Sequence, residues 1–337
     1  MQRNGKVPSG PLIGRAIRGI LLFILVVVVC YRPSISSIAA TTQNQARAIT
    51  CPTYSFPSRT PEEVSNINEK WDKGRQFVME KKLSFLQLNA LKMHRDLIHE
   101  IESQKVNGMM LECGIAKGGS SVLLSIVKNP DRCFHMFDTF QGMPPPTSSD
   151  GPDVHKRYKD IQDGKGGQNY YGYMKDLQGF VQNNIDQGGN PSQVHLHQGL
   201  FQDTVWPAGP VAFAHLDGDW YESTIRVLER VHPVLSEGGY IVLDDVEHYS
   251  GARDALGDFF NMDVAQWLKS AKSKNTKNTD NTIDSANCLV QRDGIKYSME
   301  FRVRVIAKKI YTKKGNTDAG TDETLLKLCA SKPIEKK

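Results

Sequence analysis

Apolar residues follow two different periods along the chain, and the period changes near Gly108. Between Pro61 and about Lys105 they recur at helical spacing, and the acids directly after Pro61 are typical of a helix start. Beyond Gly108, short apolar runs of strand length alternate with helical stretches such as Ser223 to Leu235 and Gly251 to Phe260. The predicted strands are Gly108–Gly114, Cys133–Phe137, Val194–His197, Val211–Leu216 and Tyr240–Leu243.

This alternation predicts an α/β fold with a doubly wound, mostly parallel sheet and helices on both faces. The last part of the chain differs, because its strand-like segments follow one another without helices. They predict an antiparallel C-terminal meander whose hairpin turn is Asp293-Gly294. Residues 266–287 are rich in Lys, Asn, Ser and Thr and predict an exposed loop.

The N-terminus carries a separate signal. Residues 20–30 form an unbroken apolar run that follows four positive charges. The run is short for a membrane-spanning helix, which needs about 20 residues. A cleaved signal peptide and an uncleaved anchor both fit, and an organelle leader stays open. The first two predict that the rest of the chain enters the secretory pathway, as a type II single-pass membrane protein or a secreted one.

The composition then divides the chain into four parts. They are a signal peptide or membrane anchor at 1–33, a linker at 34–60, a folded domain at 61–315 and a polar tail at 316–337.

Composition and charge narrow the possible classes. With 337 residues, 39% hydrophobic and 23% charged, the chain can build a sizeable core. The net charge of +5 is concentrated at the ends, so a nucleic-acid partner is disfavoured. The six cysteines form no CxxC pair, which disfavours a structural zinc site. Cys113 and Cys133 are predicted to be buried small hydrophobes, whereas Cys51, Cys288 and Cys329 are candidates for a disulfide in a lumenal protein.

Acidic residues end four of the five predicted strands. They are Glu112, Asp138, Asp217 and the pair Asp244-Asp245. The carboxyl ends of strands in an open α/β sheet line the ligand crevice, so these side chains are expected to converge at one edge. A single acid after a strand is ordinarily a turn or helix-capping residue, but four such strand ends favour a site.

The turn after the first strand favours one kind of ligand. It contains Gly114, Gly118 and Ser120 and has neither a P-loop nor a GxGxxG pattern, so it offers little to a pyrophosphate. A nucleoside with a cationic amino-acid tail suits it better. In this interpretation Glu112 complements the ammonium or sulfonium, and Asp138 accepts hydrogen bonds from the two ribose hydroxyls.

Asp217, Asp244 and Asp245 form the second constellation. The 27-residue spacing from 217 to 244 equals one strand–helix–strand unit, which places these carboxylates side by side. Clustered carboxylates favour a hard cation such as Mg²⁺, which can bind a substrate hydroxyl and lower its pKa. Asp217 is therefore predicted as a catalytic, metal-binding and cofactor-binding residue. The alternative is that Asp217 or Asp219 only caps the next helix.

A segment rich in Pro and Gly between residues 140 and 173 is predicted to be a lid beside the crevice. His155 within it is the preferred general base, and His248, after the acidic pair, is a second candidate. The alternative for either histidine is simple exposure to solvent.

Four motifs in this order resemble the macrocin O-methyltransferase (TylF/MycF-type) family over roughly residues 75–262. They are Leu111-Glu112-Cys113-Gly114 with Gly118-Gly119-Ser120, Phe137-Asp138-Thr139-Phe140-Gln141-Gly142-Met143-Pro144, the run from His215 to Thr224, and the run from Gly238 to Asp245. The resemblance implies a class I methyltransferase fold, the cofactor S-adenosylmethionine, and magnesium held by Asp217, Asp244 and Asp245. It also implies methylation of sugar hydroxyls, with a lid histidine as base.

The expected function is thus Mg²⁺-dependent methyl transfer from S-adenosylmethionine to a hydroxyl of a sugar or other polyol. The leader makes a glycan or glycolipid hydroxyl the hypothesis for the acceptor. A non-catalytic module that binds the cofactor on the same fold is the alternative, and a homo-oligomer stays open. The absence of GxGxxG disfavours an NAD-dependent oxidoreductase.

Overall fold

The computed structural model describes residues 48–51, 58–167, 170–275, 288–301, 304–310 and 327–328. The predicted signal peptide or anchor at 1–33 lies outside the described residues, as does most of the predicted tail at 316–337. Within the described ranges, no helix combines the length and the apolar character that crossing a membrane requires.

Helices and strands alternate through the central part of the chain, as the sequence predicts. The α-helices of the described residues are α1 (Pro61–Glu80), α2 (Leu88–Ser103), α3 (Gly119–Val127), α4 (Pro152–Gln162), α5 (Leu177–Gly188), α6 (Phe201–Thr204), α7 (Tyr221–Val231), α8 (Ser250–Phe260) and α9 (Val264–Asn275). The strands are β1 (Met109–Cys113), β2 (Phe134–Asp138), β3 (Val194–Gln198), β4 (Val211–Leu216), β5 (Leu235–Leu243), β6 (Cys288–Arg292), β7 (Ile295–Phe301), β8 (Val305–Lys309) and β9 (Lys327–Leu328). Short 3₁₀ helices lie at Tyr171–Tyr173, His232–Val234 and Asp245–Glu247.

The strands form one sheet in the order β3-β2-β1-β4-β5-β8-β7-β6-β9. Strands β1 to β5 are parallel, and β8 and β7 continue the sheet in antiparallel fashion. Strands β6 and β7 form the predicted hairpin, whose turn residues Asp293 and Gly294 have φ of 50° and 80°. Two successive positive φ angles are what a tight hairpin turn needs, so the Asp-Gly signal is confirmed. The doubly wound, mostly parallel sheet with an antiparallel C-terminal part is confirmed as well.

Hydrophobic clusters cover both faces of this sheet. In β1, Met109, Leu111 and Cys113 belong to one cluster, whereas Met110 belongs to the other. Side chains alternate between the faces of a strand, so a continuous apolar run is what a strand buried on both sides requires. This explains why the apolar runs identify the parallel strands so clearly.

Two predicted elements differ from the structure. The helical stretch from Pro61 to Lys105 is two helices, because the chain turns after Glu80 and Lys82 adopts a φ of 53°. The predicted loop at 266–287 is helical up to Asn275, and its residues 276–287 lie outside the described residues. Helix α9 buries an apolar stripe within the polar composition, formed by Val264, Trp267, Leu268 and Ala271. The helical spacing of these four apolar residues predicts a helix, although the Lys, Asn, Ser and Thr content of the segment favours a loop.

Part of the predicted linker belongs to the fold. Ile49 is buried, and its backbone exchanges hydrogen bonds with Trp206 (2.9 Å) and Ala208 (2.9 Å). This contact carries Cys51 to the start of β2, where it forms a disulfide with Cys133 across 82 residues of sequence. Cys133 is buried, as predicted, but the prediction that it is a simple apolar residue is wrong.

The other cysteines follow the predictions more closely. Cys113 is free and buried. Cys288 is disulfide-bonded. Spacing could not identify Cys133 as the partner of Cys51, because only the pairing of Ile49 with the chain near Trp206 brings the two together.

A buried ion pair joins α2 to the turn before β2. Arg132 is fully buried and donates to Glu102 through Nε (2.9 Å) and Nη2 (3.2 Å). Its guanidinium also donates to the carbonyl oxygens of Val106 and Gly108. Each of the three guanidinium nitrogens of Arg132 thus donates inside the protein, next to the disulfide at Cys133.

The carboxyl ends of the parallel strands remain hydrogen-bonded to one another beyond the strands. Asp217 N–H donates to the Cys113 carbonyl (2.8 Å), and Asp244 N–H donates to the Leu216 carbonyl (2.9 Å). Gly114 lies against this ladder with a φ of 91°, and a Cβ there would stand 1.8 Å from the Asp217 carbonyl oxygen. Glycine is therefore required at position 114 both by conformation and by contact.

Replacing Arg132 with Leu is expected to lower the free energy of unfolding by about 3–5 kcal/mol, because Glu102 would keep a buried charge without its partner. Urea denaturation followed by circular dichroism measures this. The control is Arg226→Leu, which breaks the exposed pairs with Glu222 and Glu229 and should cost about 1 kcal/mol or less. Equal losses in the two variants would contradict the assignment.

Gly114→Ala is expected to destabilise the fold by about 4 kcal/mol or more, since strain and a backbone clash act together. Gly164 is a matched control, because it has a φ of 74° and no atom within 4 Å of an added Cβ. Gly164→Ala should cost only the left-handed strain, about 1–2 kcal/mol. Thermal unfolding of both variants measures the difference, and a Gly114→Ala protein as stable as Gly164→Ala would refute the close approach.

Candidate functional site

Three aspartates predicted as metal ligands meet at the carboxyl edge of the sheet. Each of Asp217, Asp244 and Asp245 offers a carboxylate oxygen, and these oxygens lie within 4.8 Å of one another. The cause is the parallel register of β4 and β5, in which Leu216 is the neighbour of Leu243. The residues after each strand therefore emerge side by side. We call these three residues together with Asp219 the acid cluster.

Asp219 joins the cluster although the sequence interpretation treated it only as a helix-capping alternative. It has a φ of 59°, and its N–H donates to Asp245 Oδ2 (3.3 Å). The signal was present in the sequence, because the tight Asp217-Gly218-Asp219 turn returns the second aspartate to the edge where the first one lies.

Burial and mutual repulsion govern the ionisation of the acid cluster. Burial, together with the charges of Asp244 and Asp245, raises the pKa of Asp217 well above its usual range. Burial and the carboxylate of Asp245 raise the pKa of Asp219 in the same direction. The pKa of Asp245 is raised by burial and by Asp244. If these three carboxyls were ionised, the cluster would carry more negative charge than its surroundings compensate, and a cation would stabilise the ionised forms.

Asp244 differs from the other acids because it has cationic partners. Arg304, which precedes β8, donates from Nε to Asp244 Oδ1, and His215 Nε2 lies 3.9 Å from the same oxygen. Burial opposes ionisation of Asp244, but the contacts with His215 and Arg304 prevail and lower its pKa to about 2. Burial would likewise lower the pKa of His215, but Asp244 and Glu112 raise it to about 9. The C-terminal meander therefore supplies a positive charge to the site.

Glu112 takes a different position from the one predicted. Its carboxylate is fully buried, where it accepts from Ser121 Oγ (2.6 Å) and contacts His215 Nδ1 (3.1 Å). It lines neither of the cavities at the carboxyl edge. The prediction that Glu112 faces a cationic ligand is corrected accordingly: its oxygens are occupied by Ser121 and by the His215 that supports Asp244.

A cavity of about 370 Å³ opens over the acid cluster, and we call it the edge cavity. Its walls combine acids, cations and aromatic rings. Besides the acid cluster and Gly114, they include Ala116, Met143, Arg157, Tyr170, Tyr171, Trp220, His248, Tyr249 and Arg304. The volume and the mixture of apolar walls with a few polar groups are typical of a small-molecule site.

A smaller cavity of about 40 Å³ adjoins it and shares Gly114, Met143, Tyr171 and Asp217 with the edge cavity. Asp138 lines this smaller cavity. Its Oδ2 accepts from the backbone N–H groups of Ile115 (3.0 Å) and Ala116 (3.2 Å), and its Oδ1 accepts from that of Phe140 (2.8 Å). Asp138 therefore fixes the turn after β1 while it faces the cavity, and burial raises its pKa.

The remaining predicted residues of the turn divide between the cavity and the helix. Gly114 lines both cavities, as a close approach of the backbone to a ligand requires. Gly118 instead precedes α3 with a φ of 81°, and Ser120 is buried in the first turn of that helix. Neither Gly118 nor Ser120 lines a cavity at this edge.

The two candidate bases are in different environments. His155 is exposed on α4, and its Nε2 contacts the Thr147 carbonyl oxygen (3.1 Å), away from the cavity walls. His248 lines the edge cavity. The preference for His155 came from placing it in a flexible lid, whereas the structure places it on a helix that begins at Pro152. Of that predicted lid, Met143, Arg157, Tyr170 and Tyr171 line the edge cavity.

A larger cavity of about 840 Å³ lies between α1 and the C-terminal ends of α3 and α5. Its walls carry the cations Arg59, Lys70, Lys73 and Lys128 and no residue of the acid cluster. Size alone therefore does not identify the site; the convergence of strand ends and buried acids does.

The family model for macrocin-O-methyltransferase (TylF) matches residues 72–268, which is more than half of the chain. Among solved structures, that of the O-methyltransferase NovP superimposes with a TM-score of 0.51 at 18% identity, covering 74% of this chain and 99% of that one. At this identity the match shows the fold alone.

Two relatives have sequences about one third identical to part of this chain. The first, 8-demethyl-8-(2,3-dimethoxy-alpha-L-rhamnosyl)-tetracenomycin-C 4'-O-methyltransferase of Streptomyces olivaceus, is 31% identical over 48% of this chain and 61% of its own length. The second, mycinamicin III 3''-O-methyltransferase of Micromonospora griseorubida, is 32% identical over 46% of this chain and 63% of its own length. The chain thus aligns with less than two thirds of either relative. Together with the fold and the family model, these matches show that the chain belongs to the macrocin-O-methyltransferase (TylF) family.

Proposed function

We propose that this chain transfers a methyl group from S-adenosylmethionine to a hydroxyl group of a sugar or related polyol, with Mg²⁺ bound by the acid cluster. The observation that carries the proposal is the edge cavity, in which three carboxylates converge beside the turn that follows β1. Family membership supports the reaction class. The names of the two relatives describe O-methylation of a rhamnosyl-tetracenomycin and of mycinamicin III, and these names support a sugar-related acceptor.

The residues of the acid cluster fit a hard divalent cation. Their oxygens are close enough to share one ion, and a cation would stabilise the ionised forms of Asp217 and Asp245, whose pKa values are raised by burial and by neighbouring carboxylates. Arg304 pairs with Asp244 and so balances the charge of one of the four carboxylates. The other three would still need a cation to balance their charges when they are ionised. Mg²⁺ at this place would supply Lewis acidity that lowers the pKa of an acceptor hydroxyl.

The nucleoside of the cofactor is assigned to the edge cavity, on the side where the small cavity lined by Asp138 adjoins it. Asp138 accepts from three backbone N–H groups, and Thr139 Oγ1 lies 3.4 Å from its Oδ1. Because Thr139 Oγ1 lies closer to the Gly142 carbonyl oxygen (2.6 Å) and can donate there, it can leave the fourth acceptor position of Asp138 to a ribose hydroxyl. Gly114 lines both cavities and would let the cofactor pass close to the backbone there.

His248 is the better placed of the two histidines to remove a proton from the acceptor. It lines the same cavity as the acid cluster, and a general base must lie within hydrogen-bond reach of the proton that it accepts. The aromatic wall of Tyr170, Tyr171 and Trp220 offers flat apolar surface against which a sugar ring can pack, and Arg157 adds a donor at the rim.

We further propose that the protein works in an oxidising compartment of the secretory pathway. The Cys51–Cys133 disulfide and the bonded state of Cys288 support this, because disulfides persist mainly in such compartments. The apolar run at residues 20–30 remains a candidate leader, and its cleavage stays a prediction.

The direct test of the reaction is transfer of labelled methyl from S-adenosylmethionine to a panel of glycosides and polyols, with Mg²⁺ or with a chelator. The proposal expects O-methyl products that require Mg²⁺. Cofactor binding without any product and without any effect of Mg²⁺ would instead indicate a non-catalytic module. Transfer at full rate in the chelator would refute the metal assignment alone.

Asp245→Asn is expected to lower the affinity for Mg²⁺ by at least about tenfold. Loss of a residue that only hydrogen-bonds to a metal ligand lowers metal affinity by about that factor, and this substitution removes a ligand itself. Isothermal titration calorimetry measures the affinity directly. Asp186 is an exposed aspartate on α5, so Asp186→Asn is the control and should bind Mg²⁺ like the unmodified chain. Unchanged affinity in Asp245→Asn would contradict the site.

Mg²⁺ binding is also expected to release protons and to strengthen as the pH rises. The pKa values of Asp217 and Asp245 are raised in the metal-free protein, and a metal ligand must be deprotonated. Protonated carboxyls therefore compete with the ion at lower pH and no longer compete above their raised pKa values. Calorimetry in buffers of different ionisation enthalpy counts the protons, and an affinity independent of pH would oppose this account.

His248→Gln is expected to reduce kcat by about 10²–10⁴-fold, the usual contribution of a general base, with little change in cofactor affinity. His155→Gln is the matched comparison and should retain activity, because its ring lies on the exposed side of α4. Steady-state methyl transfer with the best acceptor of the panel measures both variants. A larger loss in His155→Gln than in His248→Gln would restore the assignment expected from the sequence.

A further inference from the structure

The edge of the sheet at β2 and β3 carries a group of imidazoles that the methyl-transfer site does not use. His135 lies on β2, and His195 and His197 lie on the neighbouring strand β3; we call the three the edge histidines. The parallel register pairs His135 with His195 and Phe137 with His197. Because side chains alternate along a strand, all three rings fall on one face of the sheet, the face that also carries Cys133.

The rings are in close contact. The His135 and His195 rings are stacked with centroids 4.8 Å apart, and His135 Nδ1 lies 2.9 Å from His197 Nε2. Ligand atoms of Cys133, His135 and His195 lie within 4.8 Å of one another. One cysteine and two histidines at this separation are a donor set that Zn²⁺ and related transition ions prefer.

His135 provides an independent indication of a ligand. Its ring is buried, with 5% of its surface exposed, and Nε2 has no hydrogen-bond partner among the described residues. A proton on Nδ1, donated to His197, leaves Nε2 with a free lone pair. Metal-binding histidines have this arrangement, in which the second ring nitrogen is held by an outer partner. Burial and the two neighbouring histidines lower the pKa of His135 to about 3, which keeps its ring neutral and able to bind a metal.

The disulfide limits this donor set. Cys133 Sγ is bonded to Cys51, and a disulfide sulfur is not a thiolate ligand. In the oxidised protein, His135 and His195 are therefore the ligands that this group offers. The Cys133 thiolate becomes a third ligand once the disulfide is broken.

We propose that reduction of the Cys51–Cys133 disulfide creates a binding site for a transition metal ion of the zinc class, with the Cys133 thiolate, His135 and His195 as ligands. A dithiol reductant supplies two electrons and two protons. The sulfur–sulfur bond breaks, Cys51 and Cys133 become thiols, and the reductant becomes a disulfide. The Cys133 thiol then loses its proton to solvent as the metal–sulfur bond forms. This site is separate from the acid cluster and does not depend on methyl transfer.

The chain offers a test that needs no reductant. Cys51→Ser leaves Cys133 as a free thiol and does not alter Cys288, whereas the control Cys133→Ser leaves Cys51 free instead. Each full-length variant is titrated with Co²⁺, whose bond to a thiolate gives a sulfur-to-metal charge-transfer absorption that carboxylate sites cannot produce.

Cys51→Ser is expected to develop this absorption with one equivalent of Co²⁺ and to lose it when Zn²⁺ is added. The oxidised unmodified chain and Cys133→Ser should show none. Absence of the band in Cys51→Ser, or an equal band in Cys133→Ser, would overturn the proposal. The unmodified chain treated with a phosphine reductant provides a second route to the same readout if Cys51→Ser does not fold.

The histidines are tested in the same background. Adding His135→Gln or His195→Gln to Cys51→Ser should weaken Zn²⁺ binding by at least about tenfold, measured by competition with a chromophoric chelator. Adding His155→Gln, which replaces an exposed histidine on α4, should leave the affinity unchanged. Circular dichroism confirms that the variants are folded, and full Zn²⁺ affinity in either of the first two double variants would refute the ligand set.

Discussion

Negative charge gathered at the carboxyl edge of the sheet is the constraint on which the rest of the site depends. Four aspartates lie within two short turns, and burial together with mutual repulsion favours the neutral forms of three of them, Asp217, Asp219 and Asp245. The protein compensates one of them, Asp244, through Arg304 and His215. Ionisation of the other three would leave negative charge that a divalent cation could balance, and three carboxylate oxygens within 4.8 Å of one another are close enough to share such an ion.

The same constraint explains several features that look purely structural. Glu112 and Ser121 form a buried chain that ends on His215 and so holds the positive charge next to Asp244. The C-terminal meander extends the sheet beyond β5 and delivers Arg304 to the site from outside the doubly wound part. Gly114 lets the turn after β1 lie directly on the Asp217 carbonyl. Elements that the sequence interpretation assigned to separate roles thus support one cluster.

Much of this could be predicted because buried parallel strands leave strong traces in a sequence. Apolar runs located four of the five parallel strands, and the alternating segment Val194–His197 located β3. The acids at the ends of the other four located the crevice, since the fold brings such ends together without further information. Asp-Gly at 293–294 located the hairpin because positive φ angles favour those residues. The acid cluster is a consequence of register, which the 27-residue spacing already implied.

The features that were missed depend on distant packing instead. Cys133 pairs with Cys51 only because the nearby Ile49 lies beside Trp206 and Ala208, a contact that no local pattern encodes. Glu112 differs from the other strand-end acids because it is the fourth residue of β1 and lies inside the sheet, whereas the acid cluster follows β4 and β5. His155 was assigned by its place in a Pro-rich segment, but a proline at the first position of a helix starts α4 there.

The most direct test of the central claim is a crystal structure grown with S-adenosylhomocysteine and Mn²⁺, in which anomalous scattering locates the metal. The account predicts a single strong anomalous peak within coordination distance of oxygens from Asp217, Asp244 and Asp245, with the nucleoside beside Asp138. A peak elsewhere, or aspartates directed away from one another around an ordered cofactor, would contradict it.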